Sequence, residues 1–144
     1  MKRFFILAML FLSTPCFAAG VGYINYEKVA ANYTFAKNSI KEVEMKSREI
    51  EVYLKTKEAE FNKLETPLQK KKFQETVQTE MQIKEKNFND FRIKREEEVY
   101  QKIYAVAEKI RLEKQYDILL DARGVFSGGN DITDILIQRL NQVK

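Results

Sequence analysis

Leu64-Glu65-Thr66-Pro67-Leu68-Gln69 is the stretch on which the fold turns. Charged, helix-favouring sequence flanks it on both sides, and Pro67 is the only proline beyond residue 18. Proline suits the first position of a helix, where its missing N–H would have no partner in any case. Thr66 before it can cap, and Gln69 completes a Thr-x-x-Gln capping box. One helix is therefore expected to end near Leu64 and another to begin at Pro67. A single rod kinked at Pro67 is the alternative.

The register of apolar residues favours the hairpin. Before the turn a stripe runs Tyr26, Val29, Tyr33, Ala36, Ile40, Val43, Ser47, Ile50, Leu54, Lys57, Phe61, Leu64, alternating steps of three and four. That is a heptad seam. After it come Phe73, Val77, Met81, Lys84, Phe88, Phe91, Arg95, Val99, Ile103, Val106 and Ile110. Folded back, Leu54 meets Val77, Ile50 meets Met81, Val43 meets Phe88, Ile40 meets Phe91 and Val29 meets Ile103. The polar breaks coincide, Ser47 with Lys84 and small Ala36 with long Arg95. At ~1.5 Å per residue, Tyr26–Leu64 would span about 58 Å and Pro67–Gln115 about 73 Å if wholly helical. The second stripe steps close to an eleven-residue period between Phe73 and Arg95, which relaxes left-handed supercoiling there.

The start of the chain has an export signature. Met1-Lys2-Arg3 is basic, Phe4 to Leu12 are uninterrupted apolar residues, and Ser13-Thr14-Pro15 breaks the run. Cys16 and Ala18 put small residues at −3 and −1 of a cut after Ala18, as in a secretory signal peptide. The apolar run is too short to cross a bilayer, which takes roughly 20 residues. Acylation of Cys16 is the weaker alternative, because Pro15 stands where lipoprotein signals carry a small residue. Cleavage would remove the one cysteine and leave 126 residues, 144 less 18. An exported chain without cysteine has no disulfide framework and holds together by packing or assembly.

Gly20-Val21-Gly22-Tyr23-Ile24-Asn25 is expected to form a short strand leading into a helix capped by Asn25. Its glycines do not make a dinucleotide fingerprint, since the third glycine position holds Asn25. After Gln115, Tyr116-Asp117-Ile118-Leu119-Leu120-Asp121 predicts a strand, Ala122-Arg123-Gly124 a turn, and Val125-Phe126-Ser127 a second short strand. Gly128-Gly129-Asn130 breaks the chain, and Asp131 can cap a last helix with Ile132, Ile135, Leu136, Leu140 and Val143 on its apolar face. The fold class is thus mainly α with a small β body: residues 34–99 form the hairpin arm with its tip at 64–69, and residues 19–33 with 100–144 form the body. A body of so few residues is marginal alone, with open strand edges, so an oligomer is expected, with Tyr23, Ile24, Ile118, Leu120, Val125 and Phe126 at its interface.

Composition narrows the chemistry. The chain has no His and no Trp, and its one Cys lies in the expected signal peptide. Zinc and copper sites lack their usual ligands, and cysteine–histidine or serine–histidine catalysis has no base. The acids lie scattered on helices, with no pair marked for acid–base work. Gly128-Gly129-Asn130-Asp131 lacks the spaced acids of a calcium loop and fits a turn followed by a cap. No enzyme activity, cofactor or metal is expected. Along the arm Lys and Glu interleave, the pattern of a solvated helix face. Only the tip departs from it, where Lys63, Lys70, Lys71 and Lys72 face Glu65 alone. A nucleic-acid arm, suggested by pI ≈ 9.0, is disfavoured by export and by the acids set among the basic residues.

The order of these pieces resembles the Skp/OmpH family of periplasmic chaperones. The carriers are Val21-Gly22-Tyr23-Ile24-Asn25 with Lys28-Val29, Val106-Ala107 with Tyr116-Asp117-Ile118-Leu119-Leu120-Asp121, and Asp131-Ile132-Thr133-Asp134 with Leu140-Asn141. The resemblance implies a periplasmic homotrimer in which strands of three subunits form a body and three arms enclose a cavity. That cavity would hold unfolded outer-membrane β-barrel proteins without ATP. Lipopolysaccharide or an anionic membrane surface is a further partner that the resemblance implies. The net charge of +4 falls to +2 once Lys2 and Arg3 are removed, so bulk electrostatic capture is weak. Met45, Val52 and Ala59 on the first helix, Ile83 and Ile93 on the second, and the tip lysines Lys63, Lys70, Lys71 and Lys72 are the candidate client contacts. A coiled-coil envelope spacer or adaptor with one fixed partner would use the same arm.

Overall fold

The computed structural model describes residues 20–142; the expected signal peptide and Val143 lie outside them. The chain runs β1 (Gly20–Ile24), α1 (Tyr26–Asn32), α2 (Thr34–Phe61), α3 (Pro67–Glu113), β2 (Tyr116–Asp121), a 3₁₀ turn (Ala122–Gly124), β3 (Asn130–Asp131) and α4 (Thr133–Gln142). The turn at Pro67 forms as its residues dictate. Thr66 Oγ1 accepts from Gln69 N at 3.3 Å, and Gln69 Oε1 accepts from Thr66 N at 3.2 Å. The capping box starts α3, which runs 47 residues, about 70 Å at the α-helical rise. At its other end Gln115 takes a left-handed φ of 57°. That conformation stops the helix and sends the chain into β2.

The single first helix expected from Tyr26 to Leu64 is corrected in two places. It ends at Phe61, and it is interrupted at Tyr33, whose backbone is extended (φ −86°, ψ 121°) and serves as C-cap of α1 and N-cap of α2. The reason is a clasp from the far end of the chain. Asn141 Oδ1 accepts from Thr34 N at 2.9 Å, and Asn141 Nδ2 donates to Asn32 O at 3.0 Å. Backbone groups freed by the break are thereby satisfied. Asn32, Tyr33 and Thr34 are also indifferent helix formers.

β1 lies in the middle of a three-stranded sheet, paired in parallel with β2 on one side and β3 on the other. Parallel neighbours need a crossover, and here the whole α1–α3 excursion supplies it. The expected strand at Val125–Ser127 does not form; the third strand is Asn130–Asp131. Val125 is extended (φ −103°, ψ 111°), but no strand of its own chain lies beside it.

Register explains the glycine at position 22. Gly22 pairs with Leu119 across β1 and β2, and a Cβ there would fall 2.5 Å from Leu119 Cδ2 and 2.9 Å from Tyr116 Cδ2. The buried core is Val29, Tyr33 and Ala36 from α1, α2 and the link between them, Val99, Ile103, Ala107 and Ile110 from α3, and Ile132, Leu136 and Leu140. α4 packs its expected apolar face inward, except that Ile135 is 38% exposed. Its start is pinned twice. Asp131 Oδ1 accepts from Thr133 N at 2.9 Å, and Thr133 Oγ1 accepts from Asn25 N at 2.9 Å, which ties the last helix to the end of β1.

Candidate functional site

The arm is an antiparallel hairpin of α2 on the first part of α3. Its far end is closed by Phe61 and Phe73, with ring centroids 6.2 Å apart. In mid-arm the Tyr53 hydroxyl donates to Glu80, and near the root Arg95 pairs with Glu42 across the seam and with Glu98 along its own helix at 2.7 Å. Burial against the seam, and then the bond to Glu80, push the Tyr53 phenol up to about 12. Every position of the stripe expected on α3, from Phe73 to Ile110, is buried or half-buried.

On α2 two expected seam positions are corrected. Ile40 is 54% and Leu54 43% exposed, while Ser39 is buried and Tyr53 half-buried in their places. The helix turns one residue from the apolar choice because Tyr53 can bury its ring and still hydrogen-bond. Small residues at Ala36 and Ser39 also leave a gap. A cavity of about 250 Å³ lies there at the arm root, walled by Tyr26, Ala36, Ser39, Val43, Arg95 and Val99 among others. Arg95 Nε faces this region as the one buried side-chain polar atom among the described residues without a hydrogen-bond partner. Cross-arm hydrogen bonds and the cavity were not foreseen from the sequence; the small pair Ala36 and Ser39 was the available signal.

The candidate client contacts all stand off the seam. Met45, Val52, Ile83 and Ile93 are 55%, 62%, 57% and 56% exposed, and Ala59 is exposed too. The cross-arm bonds place them in two tiers. Val52 and Ile83 flank the level of the Tyr53–Glu80 bond, while Met45 and Ile93 lie near that of Glu42–Arg95. Seven residues of helix put the tiers roughly 10 Å apart. At the tip Lys63, Lys71 and Lys72 are exposed. Lys70 is half-buried, its Nζ 5.6 Å from the Phe61 ring centroid, so it covers the aromatic closure and is the least free of the four. None of the four is ion-paired among the described residues.

The sheet has two unlike faces. Gly22, Ile24, Tyr116 and Leu119 face the helices, and Ile24 packs on the core of its own chain. Val21, Tyr23, Ile118 and Leu120 alternate to the other face, where Ile118 is 47% and Leu120 37% exposed. Val125 is half-buried, and Phe126, at 105%, is wholly exposed. Among the described residues no helix is long and apolar enough to cross a membrane, and no three His, Cys, Asp or Glu side chains gather to hold a metal ion.

With this geometry in hand, comparisons place the chain among known proteins. The solved structure of a candidate outer membrane chaperone (OmpH-like) from Caulobacter crescentus CB15 matches at a TM-score of 0.61 and 14% identity, over 87% of this chain and 85% of that one. At such identity the likeness is one of fold: a long helical hairpin on a small strand-containing body. No curated protein matches the sequence. The family model described as outer membrane protein (OmpH-like) matches residues 20–140, from the first residue of β1 into α4, and so this chain belongs to the OmpH-like family.

Proposed function

We propose that the protein is an ATP-independent holdase of the periplasm, which binds unfolded outer-membrane β-barrel proteins and keeps them from aggregating before insertion. Membership of the OmpH-like family and the fold shared with a candidate outer membrane chaperone support a chaperone role. The observation that carries the finer reading is the spacing of apolar side chains on the arm. Met45, Val52, Ile83 and Ile93 are exposed but isolated among charges. A fixed partner helix calls for a continuous apolar stripe. Unfolded outer-membrane strands offer alternating apolar residues that aggregate in water, and separate weak contacts hold them by avidity while allowing release one contact at a time.

The same reading assembles three chains through the body, with the uncovered sheet face of Tyr23, Ile118 and Leu120 turned inward and the arms around a client. The test is dilution of an urea-unfolded barrel protein into buffer with the mature chain and no nucleotide. Suppressed turbidity at one assembly per client is the expected result. Unchanged aggregation, together with recovery of one folded protein in fixed stoichiometry from envelope extracts, would instead establish a spacer or adaptor.

A further inference from the structure

β2 is an edge strand: β1 pairs with one side of it, and among the described residues no strand pairs with the other. Beside it, between β2 and α3, lies a cavity of about 310 Å³ walled by Tyr26, Tyr100, Tyr104, Ala107, Leu119 and Leu120 with others. Tyr100 and Tyr104 stack with centroids 6.2 Å apart and rings 21° from parallel, yet they remain 49% and 55% exposed. Paired aromatic rings beside an apolar cavity suit a third ring.

An aromatic residue without a place exists on the same body. Phe126 is wholly exposed and follows Val125, whose backbone is extended. β-branched and aromatic residues favour strands, but this segment has no strand of its own chain to join, and Phe126 is not among the residues walling the cavity. Chain and cavity are therefore each left with half of a contact.

Symmetry selects the occupant. A ring of three cannot be built from a patch that meets itself; each copy must present two different patches that join head to tail. We propose that Phe126 of one copy seats in the Tyr26–Tyr100–Tyr104 cavity of the next, with the Val125–Ser127 segment lying along the open edge of β2. This rests on the trimeric body of the proposed function and names the junction that closes it. Both halves of the contact lie on the body and not on the arm, which favours a second copy over a client as the occupant.

The test uses the mature chain, which carries no cysteine once residues 1–18 are gone. The double variant F126C/Y104C should form intermolecular disulfides on mild oxidation, giving dimer and trimer bands on a non-reducing gel. F126C alone should give none, because Phe126 does not meet its own counterpart in a head-to-tail ring. F126A and Y104A should each raise the concentration of half-dissociation at least tenfold, F126Y should restore most of it, and the double F126A/Y104A should be little worse than either single change. A parent that is trimeric by light scattering, but in which the cysteine pair stays unlinked and F126A resists dilution like the parent, overturns this junction alone. A parent that is monomeric at micromolar concentration overturns the trimeric body and the junction with it.

Discussion

Asn141, on the last helix, holds open the break before Thr34: its Oδ1 accepts from the Thr34 amide at 2.9 Å and its Nδ2 donates to Asn32 O at 3.0 Å. One side chain thus supplies both the acceptor and the donor that an interrupted helix lacks, and it couples the arm root to α4. Asn141→Ala leaves both groups to water. The expected loss is about 1–2 kcal/mol, the scale of two partly exposed hydrogen bonds. Asn141→Asp keeps the acceptor but sets a carboxylate against Asn32 O, and should cost more than alanine. Urea midpoints at constant m check this. An aspartate variant more stable than the alanine variant contradicts the clasp.

The arm register makes a geometric prediction. Leu54 and Val77 line one cleft with Phe61 and Phe73, whereas Phe91 lies in another with Ile50 and Phe88. Cysteines at Leu54 and Val77 should bond within one chain, since disulfides require Cα atoms closer than about 7 Å. Cysteines at Leu54 and Phe91 should not. Peptide mapping after oxidation distinguishes them, and bonding of the second pair alone would rule out the hairpin register.

Tyr53 gives the arm a pH dependence. Its phenol is pushed from 10.0 up to about 12, first by burial and then by its bond to Glu80. Because the folded pKa lies above the unfolded one, this stabilisation is complete below about pH 10 and is lost as pH rises from 10 toward 12. Lysines titrate over the same range, so the measurement is the difference between parent and Tyr53→Phe. The parent should lose more stability than the variant across that interval. Parallel curves would mean that Tyr53 carries no share.

These contacts show what was and was not legible in the sequence. α3 is one uninterrupted helix, so a heptad pattern placed each seam residue from Phe73 to Ile110 correctly. α2 was misplaced at Ile40 and Leu54 because hydrophobicity preferred them over Ser39 and Tyr53. The helix phase preferred the latter, and Tyr53 keeps its hydroxyl satisfied at the seam. The break at Tyr33 depends on Asn141, 107 residues from Thr34, and no local propensity encodes such a clasp. At Val125–Ser127 the strand propensity agreed with an extended backbone at Val125, but pairing is a property of neighbours, and this chain supplies none.

Leu120 tests whether the uncovered sheet face is an assembly surface. It is 37% exposed and pairs in register with Tyr23. Leu120→Asp should cost little in an isolated body, where water reaches the new carboxylate. In a trimer it buries charges among apolar neighbours, a penalty of several kcal/mol. Light scattering should therefore show monomer for the variant and trimer for the parent, with far-ultraviolet helix signal nearly unchanged. A variant that remains trimeric removes this face from the interface.

The client contacts can be tested only in combination. Met45, Val52, Ile83 and Ile93 are each more than half exposed and stand in two tiers on a charged arm. Each buried aliphatic contact is worth about 1–2 kcal/mol, so single serine substitutions should weaken client binding by modest factors. Met45→Ser, Val52→Ser, Ile83→Ser and Ile93→Ser together should remove at least about 3 kcal/mol, or roughly a hundredfold in affinity for an unfolded barrel protein. Helix content and assembly should persist, because none of the four lies in the seam or the body core. Competition between parent and fourfold variant for a fluorescent unfolded client measures the difference. If the variant competes equally, these residues are ordinary surface and the grip on the client lies elsewhere on the arm.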